Sequence, residues 1–180
     1  MIIETKGQRI IEYSCDLCVV GGGMAGTCAA LASARHGAKT ALVNARPMLG
    51  GNASSEIRMW VSGAGSRVRN LQETGIMEEV LLENMRRNPT RNFSIWDSIL
   101  YEKVKAEKNI TLLLNTTCCD CEKIEKDGVS HITAVTAWQM TTYTWHTVKA
   151  TYFADCSGDS ILAPISGAKW RVGREAASEY

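Results

Sequence analysis

The sequence predicts an α/β fold in which a parallel sheet, opened by a strand-helix-strand unit, is joined by a three-stranded antiparallel meander. Three observations carry that prediction. An apolar strand runs through a glycine-rich loop into a small-residue helix and a second apolar strand; two amphipathic helices follow; and beyond Asn109 the apolar period shortens from helical to strand-like, broken at Asp127-Gly128.

The bulk numbers suit one globular domain. The chain has 180 residues, is 45% hydrophobic and carries a formal net charge of +1, enough apolar material for a sizeable core. So balanced a charge gives no footprint for nucleic acid or an acidic membrane surface. The opening "MIIETKGQRIIEYSCD" mixes acids and polar residues with its apolar ones, so it has neither a signal-peptide core nor a spanning segment, and cytoplasmic is the default location. No repeat, low-complexity run or linker marks a boundary, so residues 1–180 are read as one domain.

In order along the chain, "DLCVV" is the first strand. "GGGMAGTCAALASARHGA" gives a loop and a slim helix from Met24 to about His36, closed by Gly37, and "KTALVN" is the second strand. After a Gly/Ser-rich connection, "TGIMEEVLLENMRRN" puts Ile76, Val80 and Leu81 or Leu82 at helical spacing and stops before Pro89. "SIWDSILYEKVKAEKN" aligns Ile95, Ile99 or Leu100, and Val104. "ITLLLN" is a short buried strand. "CCDCEKIEKDGVSHITAVTAWQM" forms two strands around a two-residue turn, and "TYTWHTVKATYFADCSG" reads as a third hairpin strand running on into another apolar strand. "DSILAPISGA" reads as a short helix interrupted by Pro164.

Gly21, Gly23 and Gly26 form GxGxxG between strand and helix. The first glycine permits the tight turn, the second lets the backbone approach a pyrophosphate, and the third lets helix pack against strand. The helix N-terminus offers unpaired N–H groups and a positive dipole end to phosphates. Asn44 stands at the tip of the second strand, where such units usually carry the acid that receives a ribose. An amide can hydrogen-bond a ribose hydroxyl without the charge assistance of a carboxylate, so Asn44→Asp should tighten binding. Arg46 could face a phosphate, which suits NADPH as much as FAD, and the spacing alone decides for neither.

The stretches "VVGGGMAGTCAALASARHGAKTALV", "RPMLGGNASSEIR" and "FADCSGDSILAPISGA", with "GRE" behind, shift that balance. In these the sequence resembles bacterial FAD-dependent oxidoreductases of the glutathione-reductase-like superfamily with two dinucleotide-binding domains. The resemblance spans nearly the whole chain and implies a Rossmann-like FAD-binding domain. It implies that Gly21, Gly22, Gly23, Met24, Ala25 and Gly26 wrap the pyrophosphate and that Asn44 and Arg46 meet the adenosine ribose side. Gly50, Gly51 and Asn52 would run along the ribityl and phosphate region, with Ser55, Glu56 and Arg58 near the flavin. The main chain at Cys118 would touch adenine, and Gly158 with Asp159 would close over the cofactor. Amides at the strand tip are familiar in that family, so Asn44 reads as a variant of the pattern.

The other chemistry-bearing residues have simpler readings. Cys15 and Cys18, three apart on a strand, point to opposite faces and lack the helix N-terminus of a redox pair. Cys118, Cys119 and Cys121 lack a fourth ligand and the usual zinc spacing, so no metal site is assigned. Glu56 and Arg58 could equally be a solvated ion pair. His131 and His146 fall on a half-exposed sheet face of the meander, and among the five tryptophans Trp60 is the candidate for lining a pocket. Asp159 could also cap the last helix.

The resemblance implies hydride or electron transfer through the flavin, with the protein supplying position, nearby charge and exclusion of water. The substrate would be an unidentified small molecule, and the family's links to carbohydrate and small-metabolite use are a hint. In the resembling family a substrate domain and a last flavin-contacting segment follow the point where this sequence stops, which implies a truncated chain. Two alternatives stand beside this reading. One is a nucleotide-binding module that folds but does not catalyse, or that needs a missing C-terminal segment or a partner, a second copy of itself included; the other keeps the fold and binds NADPH through Arg46.

Overall fold

The computed structural model describes residues 2–5, 8–63 and 71–179. Most of the Gly/Ser-rich connection, at 64–70, therefore lies outside the described residues.

The centre of the fold is a strand longer than "DLCVV". Strand β2 runs Gln8–Val20, with β1, Ile2–Thr5, antiparallel to its start. Helix α1, Met24–Arg35, follows the glycine loop and returns the chain to β3, Thr40–Val43, parallel to β2. Helices α2, Gly75–Arg87, and α3, Phe93–Ala106, lead to β4, Ile110–Leu113, parallel to β3. The meander is β5, Thr116–Lys126, β6, Val129–Gln139, and β7, Thr144–Asp155, with antiparallel neighbours. The sheet order is β4-β3-β2-β7-β6-β5, and β7 is parallel to β2. The architecture is Rossmann-like α/β with an antiparallel extension.

Two readings of the sequence need correction here. The segment taken for a hairpin strand followed by another strand is the single strand β7, because no Gly or Pro breaks Thr144–Asp155. Its first half pairs on both sides, with β6 and β2, and its second half with β2 alone. That long ladder also explains why β2 reaches back to Gln8: partners across the sheet order a stretch whose own pattern is mixed.

Strand β3 and the C-terminal end of β2 are buried on both faces, and alternate residues divide the core. Val19 and Leu42 join Leu31, Leu49, Val80, Trp96 and Leu100 on the helical side. Cys18, Val20, Ala41 and Val43 face the other way, against Val135, Ala137 and Val148 of the meander and Leu162. Each fully buried Leu or Val contributes on the order of 1.5–3 kcal/mol relative to exposure.

The periodic helices behave as expected in their main contacts. Val80 is buried, Leu81 packs on the helical core and Leu82 is exposed; Ile99, Leu100 and Val104 are all buried. An ionic hub locks the three helices together: Glu79 on α2 bonds Arg35 on α1 at 2.6 and 3.0 Å and Lys103 on α3 at 2.6 Å. Those cations hold the Glu79 carboxyl down at about 2. Pro164 does not interrupt the last helix, α4, Leu162–Ser166. It sits in the first turn, where its missing N–H has no intrahelical partner to lose.

His146 is buried, against the half-exposed expectation, and its ring nitrogens lie 3.2 Å from the Tyr13 hydroxyl and 3.3 Å from Gln139 Oε1. Burial pushes its pKa below the usual imidazole value. His131 is exposed. The seven cysteines are free thiols, and no described helix is long and apolar enough to cross a membrane.

Candidate functional site

The ends of β2, β3 and β7 converge on a cleft of about 520 Å³. Crevices beyond the carboxyl ends of parallel strands are where open α/β sheets bind ligands. Four short segments make most of its walls: the loop from Gly21 into Met24 and Ala25, the strand tip with Asn44 and Arg46, the Gly50–Asn52 turn, and the segment after β7 from Cys156 to Asp159.

The glycine loop is shaped by its protein neighbours at three positions and left open at a fourth. Gly21 has φ +104°, and a methyl built there would lie 2.3 Å from the Cys156 carbonyl oxygen. A methyl on Gly26 would lie 1.8 Å from the Gly21 carbonyl oxygen, so α1 packs hard against the loop that precedes it. One on Gly22 would strike the Asn44 side chain at 2.7 Å. On Gly23 it would meet no protein atom within 4 Å, although Gly23 lines the cleft. Of the four loop glycines only Gly23 is left open by protein neighbours, an arrangement that fits a dinucleotide's phosphates. The first turn of α1 carries no acid, and its leading N–H groups have no acceptors within the helix.

Asn44 is 5% exposed and fully employed. Its Oδ1 accepts from the Gly22 N–H at 3.0 Å. Its Nδ2 donates to the carbonyls of Arg46 at 3.0 Å and Met48 at 2.9 Å. Its main chain is clamped as well, N–H to Leu113 O and C=O from Thr116 N–H, each at 2.9 Å. The side chain expected at a ribose lies at the crossing of four segments.

Arg46 lines the cleft and is held bidentate by Glu56, both bonds 3.0 Å. That carboxylate raises the guanidinium pKa further. Gly50 and Gly51 have φ of +103° and +57°, and Gly50 N–H donates to Gly22 O at 2.8 Å, bringing the second glycine pair against the first loop. Ser54 is buried in the turn that follows, and the buried carboxylate of Asp97 on α3 accepts the Ser55 N–H at 3.0 Å.

Most residues expected from the sequence meet at this cleft: Gly21, Gly22, Gly23, Met24, Ala25, Asn44, Arg46, Gly50, Gly51, Asn52, Cys118, Gly158 and Asp159. Gly26 lies behind the loop it supports. Ser55, Glu56 and Arg58 are outside the lining: Ser55 turns to α3, Glu56 approaches only through Arg46, and Arg58 Nε donates to the Ser55 carbonyl at 3.1 Å. The helix-cap role considered for Asp159 falls to Asp155 and Ser157, which accept from Leu162 N–H at 2.8 Å and Ile161 N–H at 3.1 Å.

Trp60 and Thr116 line the cleft too, as do Cys156 and Ser157. Trp60 stacks on Phe93 at 4.2 Å and meets Trp96 edge-on; of the lining residues not otherwise expected, it alone had a signal in the sequence, an aromatic close behind the double glycine. The cleft thiols are held protonated, Cys118 pushed up to about 12 by burial and the neighbouring Cys119, and Cys156 raised by burial and Asp155. They are packing groups at neutral pH.

Three solved structures share this fold at low identity. The THI4 protein of Thermovibrio ammonificans is 21% identical, with a TM-score of 0.59 over 87% of this chain and 64% of that one. A geranylgeranyl bacteriochlorophyll reductase-like protein from Thermoplasma acidophilum is 16% identical, with 0.57 over 88% and 43%. The glycerol-3-phosphate dehydrogenase of Bacillus halodurans, solved in complex with FAD, is 18% identical, with 0.51 over 85% and 36%. The chain therefore spans less than two thirds of each. No curated protein matches the sequence. Residues 16–180 match the family model of the FAD dependent oxidoreductases, a span that takes in every wall of the cleft, and the chain accordingly belongs to the FAD-dependent oxidoreductase family, whose cofactor is FAD.

Proposed function

We propose that the cleft holds the adenosine, pyrophosphate and ribityl part of an FAD site, in a protein that transfers hydride or electrons to or from a small-molecule substrate. The observation that carries this is the pairing of family membership across residues 16–180 with a glycine loop whose one sterically open glycine, Gly23, faces the cleft. FAD, when bound, supplies the redox chemistry itself. The chain's contribution is to bind and orient. Gly23, Met24 and Ala25 would bring main chain and the α1 dipole to the phosphates, Arg46 would border the ribose side, and Cys118 with Thr116 would wall the adenine. Gly50, Gly51 and Asn52 would follow the ribityl chain, and the Trp60 ring, backed by Phe93, would exclude water from one flank.

The Arg46 guanidinium is matched to Glu56 and thus partly neutralised, which favours FAD over a 2′-phosphorylated nicotinamide cofactor. Thermal unfolding of the 180-residue chain with and without nucleotide tests the reading. FAD should raise the Tm and NADPH should not, and Gly23→Leu should abolish the rise. A Tm indifferent to FAD, or a rise that survives Gly23→Leu, overturns it.

A further inference from the structure

The strand-tip residue of such a cleft would ordinarily reach out to the nucleotide, but here its hydrogen bonds run inward. Both amide hydrogens of Asn44 are committed to carbonyls, Arg46 O at 3.0 Å and Met48 O at 2.9 Å, and Oδ1 accepts from Gly22 N–H at 3.0 Å. Gly22 is locked from its other side too: its carbonyl accepts from Gly50 N–H at 2.8 Å and from the Thr27 hydroxyl at 3.1 Å. Gly22 must lack a side chain because the Asn44 side chain fills that space. Asn44, Gly22 and Gly50 thus form one brace spanning the glycine loop, the strand tip and the double-glycine turn.

We infer that Asn44 is a positioning residue of the cofactor cleft and not its ribose contact: the amide sets the spacing between the Gly21–Gly26 loop and the Arg46–Gly50 connection before any nucleotide arrives. The inference rests on the FAD reading above for the ligand, and on the hydrogen bonds alone for the brace. It explains why an amide stands where an acid is usual. A carboxylate could still accept from Gly22 N–H, but it has no hydrogen for the Arg46 and Met48 carbonyls and would set three oxygens against one another in a buried site. A preset cleft loses less freedom on binding, so loss of the brace weakens the ligand's hold even if the fold survives.

The two roles predict opposite behaviour for Asn44→Asp. As a brace, the variant binds FAD about tenfold or more weakly at pH 8, and it recovers part of that loss near pH 5, where a protonated acid regains one donor. As a ribose contact, the same variant binds more tightly at pH 8 and weakens on acidification. The nearby charged groups, Arg46 and Glu56 on the same connection and Asp155 and Asp159 at the end of β7, are common to both proteins, so the variant-to-wild-type ratio isolates residue 44.

FAD titration by flavin fluorescence reads this ratio, and the pattern of tighter binding at pH 8 overturns the inference. If the variant does not fold, hydrogen exchange of the Asn44 side-chain amide in the wild-type chain decides. Protection before FAD is added supports the brace, and protection that develops only with FAD overturns it. Failure of the wild-type chain to bind FAD at all sinks the cofactor reading and leaves the exchange measurement to judge the brace.

Discussion

The two glycine segments that frame the cleft are anchored differently. The Gly21–Gly26 loop is seated against main chain at its two ends, Gly21 against Cys156, Gly26 against Gly21, and the Gly21 N–H on Val43 O at 2.8 Å, with Gly22 between them against the Asn44 side chain. The Gly50–Ser55 turn has a main-chain tie to that loop, Gly50 N–H to Gly22 O at 2.8 Å, and otherwise rests on side chains: a methyl on Gly50 would meet Leu100 at 2.9 Å, and Ser55 hangs from the Asp97 carboxylate. Backbone is expensive to move and side chains are not, so the first segment is fixed by the sheet itself. Past Gly50, the second is only as firm as the seat of α3.

The largest expected effect tests the first half of that contrast. Gly26→Ala sets a methyl 1.8 Å from a backbone oxygen, and since both partners are main chain the α1 packing must shift. The expected loss is about 3 kcal/mol or more, at the upper end for overpacked sites. Urea unfolding measures it; a loss under about 1 kcal/mol would mean the loop yields as easily as the turn.

Asp97→Ala should strike the other segment. It strips the Ser55 N–H of its acceptor in a part-buried setting, a loss of about 1–3 kcal/mol. Amide exchange should rise around residues 51–55 and stay unchanged at 21–26. Equal loosening of both segments would show that they move as one body.

Glu79→Gln acts a step further out, through the helices under α3. The carboxylate joins Arg35 and Lys103 but is partly exposed, so solvent screening holds its worth to about 1 kcal/mol in all. The pH dependence has a definite sign. A carboxyl depressed to about 2 adds stability that is fully present above its ordinary value of about 4.3 and is lost as pH falls toward 2. The wild type should therefore lose this advantage over Glu79→Gln between those limits, and a constant difference in Tm from pH 6 to pH 2.5 would remove the hub from the account.

How much of this was legible in the sequence follows the same division. The turn at Gly21, the tight packing at Gly26 and the helix start are legible because their requirements are local, each with a glycine signature. Trp60 could be singled out only by nearness to the double glycine. Asn44 was placed at the right corner but its hydrogen bonds could not be foreseen, since they reach 22 residues back to Gly22 and depend on how the 46–50 connection folds. The resemblance puts Ser55, Glu56 and Arg58 near the flavin, while their bonds to Asp97, on a helix some forty residues later, to Arg46 and to the Ser55 carbonyl are not marked in the local sequence. The pairing of β7 with both β6 and β2 was hidden for a related reason: a strand's second partner leaves no mark in its own pattern.

The smallest expected change in stability is the most discriminating, because it separates what the protein needs from what the ligand needs. Gly23 has φ −63° and ψ −177°, extended backbone that any L-residue adopts, and a methyl there touches nothing within 4 Å. Gly23→Ala should therefore leave the fold intact and stabilise it by about 0.4–1 kcal/mol, by restricting the unfolded chain. The same methyl stands in the wall where phosphates would approach, so FAD binding should fall while the Tm of the free chain rises slightly. Gly26→Ala loses both together. If Gly23→Ala instead unfolds the protein, the open space beside it serves the fold, and the distinction between a loop closed by protein and a position kept clear for a ligand is lost.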